Sequence, residues 1–378
     1  MSEFEWGVGP DDVALFEEDD RAVEAEQMAE VRAWRRTLHE HGLSWITGPK
    51  EYGGRELPSA FQRRFDSLAR DYEVPASTKL TVSLGMVAPT ILAHGTTLAK
   101  EEYLERLFSG ELIACQLFSE PGAGSDLAGV GTRARPVDGG WRVTGQKVWT
   151  SGAHYSDIGL LLTRTSDGPR HHNLTAFVVD MHAEGVDVRP LRQMTGGAAF
   201  NEVFLDDVFV PESDLLGQVD EGWKVAMTTL MNERGAIGGA GLGGSGLLST
   251  ARLKALVRES GMAEDAALRR QFGQLLVGLR AAQYAGRVTE ARWKAGAQPG
   301  PELSLSKLRL VRNLQQLSEF VQDVLGPRLT NDTGEWGTYA WSTFLLGLPG
   351  YRIGGGTDEV LKNIVAERVL GLPRERLI

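Results

Sequence analysis

Phe118-Ser119-Glu120-Pro121-Gly122-Ala123-Gly124-Ser125-Asp126 is the stretch on which the fold of this chain turns. Its two glycines and one proline allow a tight turn whose backbone amides can approach a ligand closely. It also stands where the hydrophobic period changes. Before it, over about 11–111, apolar residues recur every three or four positions with charges between, most clearly at 32–41 and 57–71, which predicts helices. Beyond it come short β-branched or aromatic runs at 141–143, 147–150, 158–163, 174–179 and 203–210, punctuated by Gly139-Gly140, Gly145, Gly168-Pro169 and Pro211. Strands without helices between them predict an antiparallel β domain.

After Glu221 the long helical pattern returns, at 222–260, 268–295, 304–325 and 358–370. The first is read as one helix despite its glycines, and the order of the chain is α, then β, then α. The glycine-rich 235–246 lacks a preceding strand and a Gly-Lys-Ser/Thr ending, so it is no P-loop; close helix approach accounts for it. An acidic run at Asp11-Asp12 and 17–20 reads as a solvated helix face, and 48–54 as a turn-rich loop.

Composition narrows the function. A net charge of -10 and a pI near 5.3 argue against nucleic acid as a partner. Cys115 is the one cysteine of the 378 residues, so no intrachain disulfide forms, and its apolar surroundings at 112–118 place it in the core. The first five residues lack the basic start and apolar block of a signal peptide. The most apolar long stretch, 225–248, is broken by Asn232-Glu233-Arg234 and is unsuited to span a membrane. A cytoplasmic protein is expected. His171-His172 has no third ligand at metal spacing and reads as a loop, with no metal site.

Four separated segments, in order, resemble the FAD-dependent acyl-CoA dehydrogenase family, in the bacterial branch that carries its catalytic Glu on the long helix after the β domain. They are 118–126, Lys147-Val148-Trp149-Thr150-Ser151-Gly152, Arg269-Arg270-Gln271-Phe272-Gly273 and Gly354-Gly355-Gly356-Thr357. The resemblance implies an α+β fold with an N-terminal helical domain over 1–112, a middle antiparallel β domain over 113–217 and a C-terminal four-helix bundle over 218–378. It implies that Phe118, Ser119, Gly124 and Ser125 contact the flavin ring and pyrophosphate of FAD. Trp149 would pack against the isoalloxazine ring, with Thr150 beside it, and Ser151 would hydrogen-bond the nitrogen that receives hydride. Arg269, Gln271 and Phe272 would hold the adenosine diphosphate half, reaching it from a neighbouring subunit. Gly326 falls where relatives use a Gln and paired glycines; here Asp323 and Pro327 depart from that pattern. Thr357 would bind the pyrophosphate near a helix N-terminus, where free amides favour anions. Glu359 replaces a family glutamine near FAD, and Asp358 is expected to cap the last helix.

The main departure is Gly355. Many relatives carry there the glutamate that removes the α-proton of the thioester, and glycine cannot. Its backbone N–H, the second half of that residue's role, is kept and could still hold the thioester carbonyl as enolate charge develops. Some branches supply the base from the long helix after the β domain, in a Glu-Arg pair, and Glu233-Arg234 stands at that place. Burial beside flavin and acyl chain would raise the Glu233 pKa, as suits a base. The alternative is a structural acid in a salt bridge or on a solvated face.

Two functions follow from the resemblance. One is an acyl-CoA dehydrogenase acting through Glu233, making a trans-2,3-enoyl-CoA and passing electrons to an electron-transfer flavoprotein, as a homotetramer. The other is a non-catalytic or co-catalytic subunit of an α2β2 heterotetramer whose partner supplies the base. An oxygen-reacting member of the family has no positive signal. The segment 78–94, with Gly85, Ala88 and Pro89, is expected as a helix lining part of the acyl pocket, and the Glu-Arg pair favours a bulky, branched or steroid-derived acyl group over a plain fatty chain.

Overall fold

The computed structural model describes residues 5–9, 11–16, 20–75, 77–240, 249–294, 300–301 and 303–374. The chain forms two compact units, one of Glu18–Glu233 and one of Met1–Glu17 with Arg234–Ile378.

In the first unit, α1 (Arg21–Glu40) starts at Asp20, whose carboxylate accepts from the Ala22 amide. After it come α2 (Ser59–Ala69), α3 (Ala88–His94) and α4 (Thr97–Ser109). Thr96 caps α4 and Gly110, at φ 80°, ends it. The continuous helix expected over 78–94 is corrected. A 3-10 turn at Ser77–Leu80 is followed by a π-turn at Ser83–Val87, and only then by α3.

The strands are β1 (Ala114–Leu117), β2 (Arg133–Val137), β3 (Gly140–Ser151), β4 (Ile158–Arg164), β5 (Leu174–Asp180), β6 (Val186–Leu191), β7 (Phe200–Pro211) and β8 (Leu215–Leu216). They form one sheet in the order β6-β7-β3-β2-β4-β5-β8, with β1 paired to β4. Most pairs are antiparallel, but β1 runs parallel to β4, as does the single β2–β4 bridge at Arg133 and Arg164. The purely antiparallel expectation is corrected there, because period-two alternation reports faces and not strand direction. That alternation is plain on β4: Leu160 and Leu162 join the core shared with Ile91, Leu104 and Val225, while Leu161 joins Cys115, Phe177 and Val203 on the other face. Cys115 is fully buried, and burial pushes its thiol up to about 12.

Helix α5 (Gly222–Ala240) leads into the second unit, which holds α6 (Thr250–Glu259), α7 (Ala266–Lys294), α8 (Leu303–Leu325), α9 (Ala340–Ile353) and α10 (Asp358–Arg368). A single helix over 222–260 is corrected, since Ser249 caps a new one by accepting from the Arg252 amide; 241–248, with part of the glycine-rich run, lies outside the described residues. Leu253, Leu275, Leu317, Phe320, Trp341 and Phe344 fill this core, together with Val13 and Leu15 from the N-terminal segment. The described residues of the acidic run lie on no helix face: Asp11 pairs with the buried Arg252 at 3.1 Å and accepts from the Gly337 amide, and Asp20 is a cap; 17–19 lie outside the described residues.

Candidate active site

The turn at 118–126 and strand β3 are joined by a buried cation. Lys147 is fully enclosed, and its ammonium donates to the Phe118 carbonyl at 3.1 Å, the Leu162 carbonyl at 2.7 Å and Glu120 Oε1 at 2.8 Å. Glu120 in turn accepts from the Gly131 and Thr132 amides at 2.6 and 2.9 Å. One ion pair therefore holds four chain segments in register, and the Val148 amide adds a bond to the Ser119 carbonyl at 2.9 Å. Phe118 is buried, Ser119 half-buried, and Gly124 and Ser125 exposed on the rim. A side chain at Gly124 would meet no atom within 4 Å, so backbone there stands open to a ligand.

Trp149 is the most unusual residue of this unit. The pairing of β3 with β7 shifts between Lys147 and Thr150, so three steps on β3 face two on β7, a β-bulge. Trp149 occupies it at φ 62°, a left-handed backbone that a bulky residue adopts only when its surroundings impose it. The result is a large aromatic face left 57% exposed, steadied by an edge-to-face contact with Phe200 at 5.8 Å. Next to it the Thr150 hydroxyl is buried and has no hydrogen-bond partner, and Ser151 is exposed. An open aromatic face beside an unsatisfied hydroxyl fits a planar heteroaromatic ring with hydrogen-bonding edges, as in a flavin.

Glu233 lies on α5. The buried residues of that helix, Gly222, Val225, Ala226 and Thr229, define its inward face, and Glu233 continues the same stripe one turn beyond Thr229. It is half-buried. The stripe is fastened to α3 by Thr229 and Thr90, with hydroxyls 3.0 Å apart, and by Thr228 and His94 Nε2 at 2.7 Å. Higher numbers on α5 thus meet lower numbers on α3, which directs the Glu233 turn toward the π-turn at Ser83–Val87. Gly85 sits in that π-turn, an irregularity that often marks a functional site. Burial lowers the His94 pKa, and Lys100 adds to the effect.

In the second unit, Gln271 on the first turns of α7 donates to Asp323 Oδ2 on α8 at 2.6 Å, while its own side-chain oxygen is buried without a partner. Phe272 stacks on Phe320 with centroids 5.5 Å apart. Arg269 is exposed, 3.7 Å from Glu264. Gly326 follows α8 directly at φ 51°. The departure at Asp323 therefore lies in the same cluster as Gln271, both near the α7 and α8 ends.

The glycine segment is built for glycine. Gly355 and Gly356 have φ of 65° and 95°, where a side chain costs about 1 kcal/mol or more. Buried Lys307 of α8 donates to the Gly354 and Gly356 carbonyls on either side of Gly355. Thr357, not Asp358, caps α10: its hydroxyl accepts from the Val360 amide at 3.2 Å, while Asp358 is buried and bonded to Arg352 at 3.0 Å. Glu359 is exposed in the first turn of α10, and backbone amide donation lowers its pKa. A helix start behind two positive-φ glycines, where backbone amides can face an anion closely, suits a phosphate.

Sequence reasoning assigned no role to Lys147, Glu120, Asn201 or Lys307. A lysine flanked by strand residues gives a faint signal, whereas Lys307 looks like any polar position of an amphipathic helix.

This arrangement, helices, then a sheet, then helices, with an open aromatic face and a glycine-led helix start, has clear counterparts. Models of the acyl-CoA dehydrogenase N-terminal, middle and C-terminal domains match residues 14–111, 115–208 and 220–370. The acyl-CoA dehydrogenase FadE34 of Mycobacterium tuberculosis is 39% identical over 344 residues, covering 89% of this chain and 46% of its own length. The chain thus spans about half of that relative. The acyl-CoA dehydrogenase IpdE1 of the same organism is 38% identical over 357 residues, covering 93% of this chain and 90% of its own. Among solved structures, the Tcur3481-Tcur3483 steroid ACAD superposes with a TM-score of 0.77 at 24% identity, over 95% of this chain and 100% of that one. A glycine-to-alanine variant of the same steroid ACAD gives 0.74 at 25%, over 94% and 100%. The chain belongs to the acyl-CoA dehydrogenase family, a family of FAD-dependent oxidoreductases. Its α+β architecture is that family's. Among the described residues no helix is long and apolar enough to cross a membrane.

Proposed function

We propose that the chain desaturates an acyl-CoA thioester between its α- and β-carbons, giving a trans-2,3-enoyl-CoA, with Glu233 as the base. FAD, when bound, supplies the acceptor for the hydride that leaves the β-carbon. The Glu233 carboxylate takes the α-proton, and the C–H electron pair it frees becomes the new double bond as hydride departs. The Gly355 N–H donates to the thioester oxygen and stabilises the enolate charge that grows there. Trp149, Thr150, Ser151 and the 118–126 turn would hold the ring; Arg269, Gln271, Phe272, Gly326, Thr357 and Glu359 would serve the adenosine and pyrophosphate portions.

The observation that carries this reading is the place of Glu233 on the inward stripe of α5. A carboxylate needs a reason to stand where Ala226 and Thr229 are buried, and proton abstraction is one. The 25% identity to a structure described as a steroid ACAD supports a bulky, steroid-derived acyl group. Electron-transfer flavoprotein as acceptor and a cytoplasmic location complete the reading.

Gly355 favours a second reading. Its positive φ shows a loop shaped around glycine, in keeping with a subunit of an α2β2 assembly whose partner supplies the base. The purified chain is tested for bound FAD and for anaerobic bleaching by a panel of acyl-CoAs. Bleaching that slows roughly a thousandfold in Glu233→Gln supports the first reading. Equal bleaching in both proteins removes Glu233 from the mechanism, and FAD retained only after a second polypeptide is added supports the heteromer.

A further inference from the structure

We propose that Asn201, supported by His154 and Glu24, is a positioning residue that sets the β-bulge presenting Trp149, Thr150 and Ser151; this rests on the reading that the bulge faces the flavin ring. Asn201 on β7 is fully buried and lies directly opposite Thr150 in the pairing of β3 with β7. Its Nδ2 donates to the Thr150 carbonyl at 3.1 Å and to His154 Nδ1 at 3.1 Å, and its Oδ1 accepts from Arg21 at 3.3 Å. The opposite amide orientation would set Oδ1 against the Thr150 carbonyl oxygen, so the network itself fixes the flip.

The chain of donors continues outward. With Nδ1 accepting, the His154 Nε2–H points to Glu24 Oε2, 2.5 Å away. Glu24 comes from α1 and also faces Lys79 at 3.8 Å. Burial acts to raise the Glu24 pKa, but His154, Lys79 and Arg21 outweigh it and hold the carboxylate ionised. Helix α1 is thereby tied through two side chains to the carbonyl that immediately follows Trp149.

A left-handed tryptophan persists only where its surroundings over-determine it. The edge contact with Phe200 steadies the ring, but the backbone needs its own restraint. Asn201 supplies it, because a bulge breaks the regular ladder and leaves backbone groups in need of side-chain partners. Without the Asn201 donor the Thr150 carbonyl loses a hydrogen bond at a buried position. The bulge then relaxes, and Trp149 leaves the angle at which it meets the ring.

The test uses the FAD-loaded protein and its FAD-free form, with Asn201→Ala, His154→Ala, His154→Gln and Trp149→Leu. Asn201→Ala is expected to weaken FAD binding about tenfold, to alter the visible circular dichroism of bound flavin, and to speed amide exchange over 148–151 in the FAD-free form. His154→Ala should do the same more weakly. His154→Gln, whose amide can both accept from Asn201 and donate to Glu24, should restore the wild-type values. If Asn201→Ala does not fold, the two His154 variants decide. Unchanged binding, dichroism and exchange in Asn201→Ala or His154→Ala, with Trp149→Leu changing the flavin signals, overturns the positioning role alone. Unchanged flavin signals in Trp149→Leu overturn the flavin-facing reading and the proposal with it.

Discussion

Lys147 and Glu120 carry more of the site's architecture than any residue that would touch the ring. Full burial pulls the lysine down to about 8 from its ordinary 10.5, with Glu120 opposing the shift. Burial likewise acts to raise the Glu120 pKa, but Lys147, Thr132 and Gly131 together hold it below 4.5. The sign of the resulting pH dependence follows. As pH falls through 4.5 the unfolded chain takes up a proton that folded Glu120 resists, so its contribution is complete above 4.5 and is lost below it. Glu120→Gln should lower the urea midpoint at pH 7 by an amount equivalent to about 3 kcal/mol, because Lys147 is left buried without its counter-charge. The gap between the two proteins should then narrow as the pH is lowered from 5 to 3; a gap of constant width would contradict the assignment. Glu24, whose pKa is also lowered, is present in both proteins and cancels in the comparison. Two of the four segments that meet here, 118–126 and 147–152, were legible as motifs. That a lysine inside one of them is a buried tie was not, because burial of a charge depends on partners from distant strands.

At the scale of elements, α10 shows how neighbours choose between two plausible caps. Thr357 and Asp358 are both good N-cap residues, and sequence reasoning favoured the aspartate. Arg352 at the end of α9 occupies the Asp358 carboxylate, which leaves the cap to Thr357. Thr357→Ala should therefore cost about 1 kcal/mol of stability in chemical denaturation, and Thr357→Ser should recover most of it. Asp358→Asn, equally able to cap, would restore nothing in the Thr357→Ala background unless the cap had been assigned to the wrong residue. Helix α9 itself escaped sequence reading. Gly347, Pro349 and Gly350 weaken its helical signature, yet Gly350 is needed where it stands: a Cβ there would come within 2.8 Å of the Phe16 ring. The π-turn at Ser83–Val87 escaped for the opposite reason, since its residues keep an ordinary helical periodicity.

At the scale of the whole molecule, the N-terminal segment belongs to the unit formed by the C-terminal helices. Val13 and Leu15 are 1% and 7% exposed in that core, and Arg252 lies over Trp336 and Trp341 at 4.9 and 5.7 Å while pairing with Asp11. Removing residues 1–16 should cost this unit about 3 kcal/mol or more, since two apolar side chains lose their burial and Arg252 loses its partner. A fall in the thermal midpoint would show it, and an unchanged midpoint would mean the segment is dispensable. The amino-acid sequence alone determined the family, the α-β-α order, the motifs for a dinucleotide and the loss of the glutamate at Gly355, because these depend on residue identities and spacings along one chain. Only the tertiary structure decided that Trp149 stands on a left-handed bulge, that Glu233 continues the inward stripe of α5, that Asp11 neutralises Arg252, and that β1 lies parallel to β4. The bulge, the Asp11–Arg252 pair and the β1–β4 pairing are relations between residues far apart in the chain, and which side of α5 faces inward is likewise fixed by packing that no local pattern encodes.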